Sequence, residues 1–296
     1  KGLDSRVLVK LEYLNPSGSI KDRVALSMIE GAEREGKLFP GYTIVESSTG
    51  NTGTSLAFVG GMKGYSVKIF ETTPGKMGAE KRKLMESYGA EVKALSPEDL
   101  GNLQGGVAGA EVELPGRLLC LELESRDEKV WWARQFSNPY NVSAHHVTGN
   151  EILEQTDGKV DAYIASIGTG GTLMGVAQVL KREIKDVRVV GIQPSSSKKK
   201  MVPGEPYPRS EIEGGIVADM LDAPGLIDEV VQLSDEDAVN MAHRLWREEG
   251  IFAGISSGAN VHVALEIAKK LGPGKTVVTV LHDSGDRYLT EEHYVT

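Results

Sequence analysis

The sequence predicts an α/β fold with parallel strands. Apolar strand-like segments alternate with helical patterns through most of the 296 residues, the pattern of successive βα units. Three of the turns are runs of glycine and hydroxyl residues that lead into a helix. The length allows one large or two ordinary domains, and 40% hydrophobic with 25% charged residues is ordinary globular composition.

Arg6 to Glu12 reads as a first strand. Asn15-Pro16-Ser17-Gly18-Ser19 is a turn, and Ser19 with Asp22 has the capping-box spacing that starts a helix. Val24, Leu26, Met28, Ile29 and Ala32 then recur at roughly helical spacing. Tyr42 to Glu46 is a short strand, followed by a polar turn from Ser47 to Thr54 and a helix from Ser55 to about Met62. Val67 to Phe70 is a strand, Lys76 to Tyr88 a helix and Ala90 to Leu95 another strand. Leu100 to Trp132 has no clear periodicity and reads as a surface excursion; its composition shift marks a candidate domain junction before Gln135. Asp161 to Ile167 is a strand, Gly168 to Thr172 a turn, Leu173 to Lys185 a helix and Val187 to Ile192 a strand. Ser195 to Glu213, with three prolines, is a loop. Asp235 to Gly250 is a helix with Ser234 as its N-cap. Gly254 to Ala259 turns into a helix from Val261 to Leu271, and Thr276 to Leu281 is a buried strand.

The net charge of -9, with no basic run longer than Lys198-Lys199-Lys200, argues against a nucleic-acid partner. No apolar run approaches the length of a membrane span, and no signal peptide is visible. Cys120 is the only cysteine, which rules out an intramolecular disulfide and fits a reducing, cytoplasmic compartment. The six histidines have no metal-site spacing. His145 and His146, read as strand neighbours, point to opposite faces and suit packing or surface roles. Trp131 and Trp132 read as packing residues.

Lys21 falls in the first turn of the predicted helix, where the positive end of the helix dipole opposes a second cation. That misfit favours the neutral amine, the form that attacks a carbonyl; a solvated surface lysine is the plainer alternative. The turns at Ser48, Gly168 and Gly254 would each present backbone N–H groups at a helix start, a ready anion site. At Gly168 the glycines allow close approach, and Thr169 and Thr172 add hydroxyl donors, which suits a phosphate. A dinucleotide fingerprint fails there because Leu173 stands at its third glycine position. A nucleotide P-loop at Gly274-Lys275-Thr276 fails because Lys269 replaces its first glycine.

Four stretches, Asn15-Pro-Ser-Gly-Ser-Ile-Lys21-Asp-Arg, Ser48-Thr-Gly-Asn51-Thr-Gly, Gly168-Thr-Gly-Gly-Thr172 and Gly254-Ile-Ser-Ser-Gly258, occur in that order. Together they resemble the signatures of the cysteine synthase and cystathionine β-synthase family, pyridoxal phosphate enzymes of fold type II. Gln135-Phe-Ser-Asn-Pro139, Tyr88-Gly-Ala-Glu91 and Arg287-Tyr-Leu289 are similar to further family stretches. The resemblance implies two domains, each a mostly parallel twisted sheet flanked by helices: a small one over 15–135, and a large one over 1–14 and 136–296 that carries the phosphate loop. It implies that Lys21 joins the cofactor's aldehyde and acts as the catalytic base. Asn51 is expected at the ring hydroxyl, and Gly168, Thr169, Gly170, Gly171 and Thr172 around the phosphate. Ser256, rather than Ser257, is expected at the pyridine nitrogen, where a neutral partner makes the ring a weaker electron sink. Ser48, Thr49, Asn51, Thr52 and Gln135 are similar to the residues that hold the substrate's α-carboxylate.

The reaction so implied is a β-replacement. An activated serine, O-acetylserine or O-phosphoserine, loses its β-substituent to leave an aminoacrylate, and sulfide adds to give L-cysteine. Cystathionine β-synthase-type condensation and cysteine desulfhydration use the same chemistry and stay open; a non-catalytic binding protein is the remote alternative, which Lys21 argues against. The family also implies a homodimer, and an acetyltransferase tail is a partner of some members. No metal is expected. Departures leave the donor open. Ser48-Thr49 stands where the family usually has Thr-Ser, the 100–132 stretch looks longer than its counterpart, and Gly214 to Asp219 departs from the usual glycine-rich loop. Arg209 is a candidate partner for a substrate phosphate, beside the plainer reading of a solvated arginine. Threonine dehydratases share the fold but usually carry histidine where Thr52 stands.

Overall fold

The structure is a computed structural model and describes residues 4–72, 78–96, 113–197, 199–208 and 215–295. Lys198, Arg209, Gly214 and the 100–112 part of the unassigned stretch lie outside the described residues.

The elements run β1 (Arg6–Leu11), α1 (Lys21–Arg34), β2 (Thr43–Ser47), α2 (Asn51–Met62), β3 (Ser66–Glu71), α3 (Ala79–Ser87) and β4 (Glu91–Ala94). They continue with α4 (Leu114–Arg126), β5 (Val130–Trp132), α5 (Pro139–Gln155), β6 (Ala162–Ser166), α6 (Gly171–Glu183) and β7 (Arg188–Pro194). The last are α7 (Ile216–Asp222), β8 (Glu229–Leu233), α8 (Asp235–Glu249), α9 (Ile255–Leu271), β9 (Thr276–Leu281) and α10 (Glu292–Val295). Sequence patterns missed α4, β5, α5, α7 and β8. The alternation of strand and helix is the predicted α/β pattern.

The chain divides into two compact units. One comprises Lys1–Leu14, Val142–Arg209 and Gly215–Gly285. Its five strands lie in the order β1-β9-β6-β7-β8, every pair parallel. Alternate residues of a strand face opposite sides. Tyr163, Ala165, Val189, Val278 and Val280 therefore pack with Leu173, Val176 and Leu180 of α6 in one core cluster. Ala162, Ile164, Val190, Ile192 and Val277 pack with Val263, Ala264 and Ile267 of α9 in another. Burial on both faces explains why β9 is a continuous apolar run.

The other unit comprises Asn15–Asn141 and Asp286–Thr296, with a parallel four-stranded sheet in the order β4-β3-β2-β5. Val45, Phe70, Leu95, Cys120 and Trp132 form a core cluster there. Glu46, fully buried in β2, accepts from the Trp132 indole N–H at 3.0 Å, the Gln135 N–H at 2.9 Å and the Ser47 N–H at 2.8 Å. A buried carboxylate is tolerable only when so paired. Trp132 thus packs and anchors at once.

Several helix starts differ from expectation. Helices α2, α6 and α9 begin at Asn51, Gly171 and Ile255, so residues expected in turns form first helical turns. Glycine and hydroxyl residues lower helix propensity, but packing overrides that weak preference. Ser234 caps α8 as predicted, accepting from the Asp237 N–H at 3.1 Å. Ser19 and Asp22 do not form a capping box: α1 has no side-chain cap, and Asp22 reaches back to Ser17. His145 and His146 lie on helix α5, not on a strand.

Gly258 in α9 lies against α8: a Cβ there would sit 2.1 Å from the Ala238 carbonyl oxygen and 2.7 Å from the Ala242 nitrogen. Gly258→Ala should therefore destabilise the fold by about 1–3 kcal/mol through overpacking; a denaturant midpoint equal to that of the native protein would contradict this contact.

Candidate active site

In the unit that holds Lys21, that lysine is the first residue of α1 and is partly buried. Burial pulls its amine down from the usual lysine range to about 8. The turn before it is fixed from two sides. Asp22, buried, accepts from the Ser17 N–H at 2.7 Å and the Ser55 hydroxyl at 2.7 Å, and also from the Ser17 hydroxyl. The link to Ser55 ties α1 to α2. Arg287, also buried, donates to the Ser17 carbonyl and, at 2.8 Å, to Asn51 Oδ1. Gly18 has a positive φ of 88°, and a Cβ there would lie 3.1 Å from the Arg287 guanidinium. Glycine thus permits both the turn and the close approach. The sequence motifs assign Arg287 no role. Its signal was the Arg287-Tyr-Leu289 resemblance, but its target is 236 positions away.

The second motif lies between β2 and α2. Ser48 Oγ accepts from the Gly50 N–H at 3.2 Å and the Gly53 N–H at 3.1 Å, so its oxygen serves the helix start. Thr49 presents its N–H and hydroxyl to the Glu113 carboxylate, at 3.2 and 3.3 Å. Thr52 is buried in the first turn of α2. Gln135 lies beside this loop because its Nε2 donates to the Ser47 carbonyl at 2.8 Å, while Asn141 holds the Gln135 carbonyl at 2.7 Å. The structure therefore gathers Lys21, Ser48, Thr49, Asn51, Thr52 and Gln135 within one unit.

In the unit that holds the phosphate-loop motif, Gly168 to Thr172 runs from the end of β6 into α6. Gly170 has a φ of 89°, and no side chain caps the helix. The first-turn N–H groups thus open toward the loop, at the positive end of the helix. A Cβ on Gly168 would meet nothing within 4 Å, whereas one on Gly170 would lie 3.2 Å from Ile216 and Val217. The Thr172 hydroxyl lies 3.1 Å from His145 Nε2, and His145 Nδ1 lies 3.2 Å from the Thr148 hydroxyl. His145 is thus a buried partner of the loop, not a generic packing residue. Ser256 and Ser257 separate clearly. Ser257 Oγ accepts from the His282 N–H at 2.9 Å and is fully buried, while Ser256 Oγ is partly exposed, 3.3 Å from His282 Nδ1. Asn260 pins the same region, accepting from the Ser166 N–H at 2.8 Å and donating to the Val280 carbonyl at 2.7 Å.

The residues fit a phosphorylated aldehyde. A buried amine of lowered basicity suits imine chemistry, and an uncapped helix start behind glycines suits a dianion. Replacing Arg287 with Met removes a donor from the buried Ser17 carbonyl and from the part-buried Asn51 carboxamide oxygen. It should cost about 2–4 kcal/mol of stability in chemical denaturation, and a loss under 0.5 kcal/mol would refute the clamp.

The family described as pyridoxal-phosphate dependent enzyme matches residues 1–283. A cysteine synthase of Staphylococcus aureus is 44% identical over 294 residues, covering 97% of this chain and 89% of the relative. Among solved structures, the cysteine synthase of Entamoeba histolytica superposes with a TM-score of 0.83 at 34% identity, covering 99% of this chain and 83% of that one. An O-ureido-L-serine synthase superposes with a TM-score of 0.81 at 36% identity, covering 98% and 88%. With a match of this extent behind it, the chain belongs to the family of pyridoxal-phosphate dependent enzymes.

Proposed function

We propose that this protein is a cysteine synthase that makes L-cysteine and acetate from O-acetylserine and sulfide, using pyridoxal 5'-phosphate. The near full-length match to cysteine synthases carries this conclusion. When bound, pyridoxal phosphate supplies the carbonyl that the substrate amine joins and the electron sink that acidifies its Cα–H.

The chain's own residues do the rest. Lys21 would hold the cofactor through its Nζ and would take the substrate's α-proton as general base. An amine titrating near 8 is substantially neutral at mildly alkaline pH, so it serves without a separate activating base. Asn51, its carboxamide oxygen held by Arg287, would offer its Nδ2 to the ring hydroxyl. The amides of Gly168, Gly170 and Gly171, with the Thr169 and Thr172 hydroxyls, bind the phosphate. In this scheme His145 donates from Nε2 to Thr172, which leaves the threonine proton for the phosphate. Ser256 would serve as a neutral partner for the pyridine nitrogen, which would leave the ring a weaker electron sink and suit β-elimination. Ser48, Thr49, Asn51, Thr52 and Gln135 form the α-carboxylate site. The helix-start N–H groups of α2 are its fixed donors, and they hold the substrate in reacting geometry.

No helix among the described residues is long and apolar enough to cross a membrane. We also propose a cytoplasmic homodimer, in keeping with the single buried Cys120; light scattering should give about twice the chain mass of 31.9 kDa. An acetyltransferase tail ending in a carboxylate would compete for the same α-carboxylate donors.

The decisive experiment uses apoprotein and added pyridoxal phosphate. The rate at which visible absorption develops should rise with pH through a midpoint near 8, because the lowered Lys21 pKa puts the neutral amine above that value, not above the ordinary ~10.4. Lys21→Ala should show no stable band after borohydride and should lose about 10²-fold or more of cysteine formation. A persistent reducible linkage in that variant would overturn the assignment.

A further inference from the structure

One carboxylate stands where the substrate's carboxylate is expected. Glu113, at the start of α4, is buried, and among the described residues its carboxylate accepts from the end of β2, the loop that follows it and the residue after β3. Its Oε1 takes the Thr49 N–H at 3.2 Å and the Thr49 hydroxyl at 3.3 Å. Its Oε2 takes the Ser47 hydroxyl at 2.7 Å and the Thr72 hydroxyl at 3.1 Å. A backbone N–H and a row of hydroxyls is the donor set an amino acid's carboxylate uses. The helix that delivers Glu113 is seated for this purpose. A Cβ on Gly116 would lie 2.3 Å from the Ser47 hydroxyl oxygen and 3.2 Å from Phe70 Cβ, so the first turn of α4 lies directly on the ends of β2 and β3, where the loop begins. Among the described residues no lysine or arginine donates to Glu113, and its neighbour Glu71 is a second acid. The contact gives a buried negative charge only neutral donors, a weaker arrangement than an ion pair and an easier one to exchange.

We propose that Glu113 is a built-in competitor for the α-carboxylate site, a specificity-determining residue that an incoming amino acid must displace from Thr49. The proposal rests on the assignment of Thr49 and Thr52 to that site. An amino acid whose carboxylate replaces Glu113 exchanges one charge for another at the same donors, whereas an amine, thiol or neutral ligand cannot. The cost falls on affinity: if Glu113 holds the donors nine-tenths of the time, the apparent affinity drops about tenfold. Chemistry after displacement is untouched, because Glu113 bears no role at the reacting atoms.

Three variants of the cofactor-loaded enzyme test this. Glu113→Gln keeps the shape but weakens the acceptor, and Glu113→Ala removes it. For both, KM for O-acetylserine should fall, by about tenfold in Glu113→Ala, with kcat within about twofold of native. Acetate, a bare carboxylate, should inhibit Glu113→Ala competitively at about a tenth of the native inhibition constant. If Glu113→Ala does not fold, judged by its circular dichroism and cofactor band, Glu113→Gln decides alone. An unchanged or raised KM in the variants that fold overturns the proposal. Thr52→Ala separates the two assignments. A raised KM there, with no fall in the Glu113 variants, removes the competitor and keeps the site. An unchanged KM in Thr52→Ala removes the site and the competitor with it.

Discussion

The constraint on which the lysine-bearing unit depends is the burial of Asp22, whose carboxylate must find hydrogen-bond donors there. Its two oxygens are satisfied by the Ser17 N–H and by the Ser17 and Ser55 hydroxyls. An unsatisfied buried carboxylate would cost several kcal/mol, so the turn can adopt only conformations that keep these donors in place. That requirement fixes where α1 begins and ties it to α2. It also sets Lys21 one residue before the carboxylate. Arg287 completes the arrangement by binding the Ser17 carbonyl and the Asn51 carboxamide together.

The same device recurs in that unit. Glu46 gathers the Ser47 N–H, the Gln135 N–H and the Trp132 indole. Glu113 gathers Ser47, Thr49 and Thr72. Burial raises the Glu71 carboxyl, against the Arg82 that pairs with it. Buried acids here act as acceptor hubs that fix the conformation of polar loops, a task an apolar contact cannot perform because it has no directionality. Such hubs are exposed to single changes, since removing the acid leaves several donors without an acceptor.

The phosphate-loop unit solves its problem differently. Strands buried on both faces supply rigidity, and the functional residues sit where β6 ends and α6 and α9 begin. Asn260 bridges β6 and β9, and His145 backs Thr172. The donors stay preorganised because each supporting group is itself hydrogen-bonded. Rigid strands set the loop, and glycines leave it open enough for an anion.

Alternation of strand and helix, the ordered glycine-hydroxyl motifs and the position of Lys21 were legible in the sequence, because they depend on local periodicity and on residue chemistry at short spacing. Three things were not. Helices α4 and α5 were hidden, since α4 buries Cys120 but exposes Leu118 and Leu121 and so carries no clean apolar stripe. Helix starts at Asn51, Gly171 and Ile255 contradicted local propensity, because packing and buried donors outweigh a few tenths of a kcal/mol per residue. The partners of the site residues, Arg287 for Asn51, His145 for Thr172 and Glu113 for Thr49, lie tens to hundreds of positions away. The sequence alone therefore determined which chemistry the chain carries. Tertiary structure decided which side chains hold that chemistry in place, because a hydrogen bond is chosen by distance and angle in space and leaves no period along the chain.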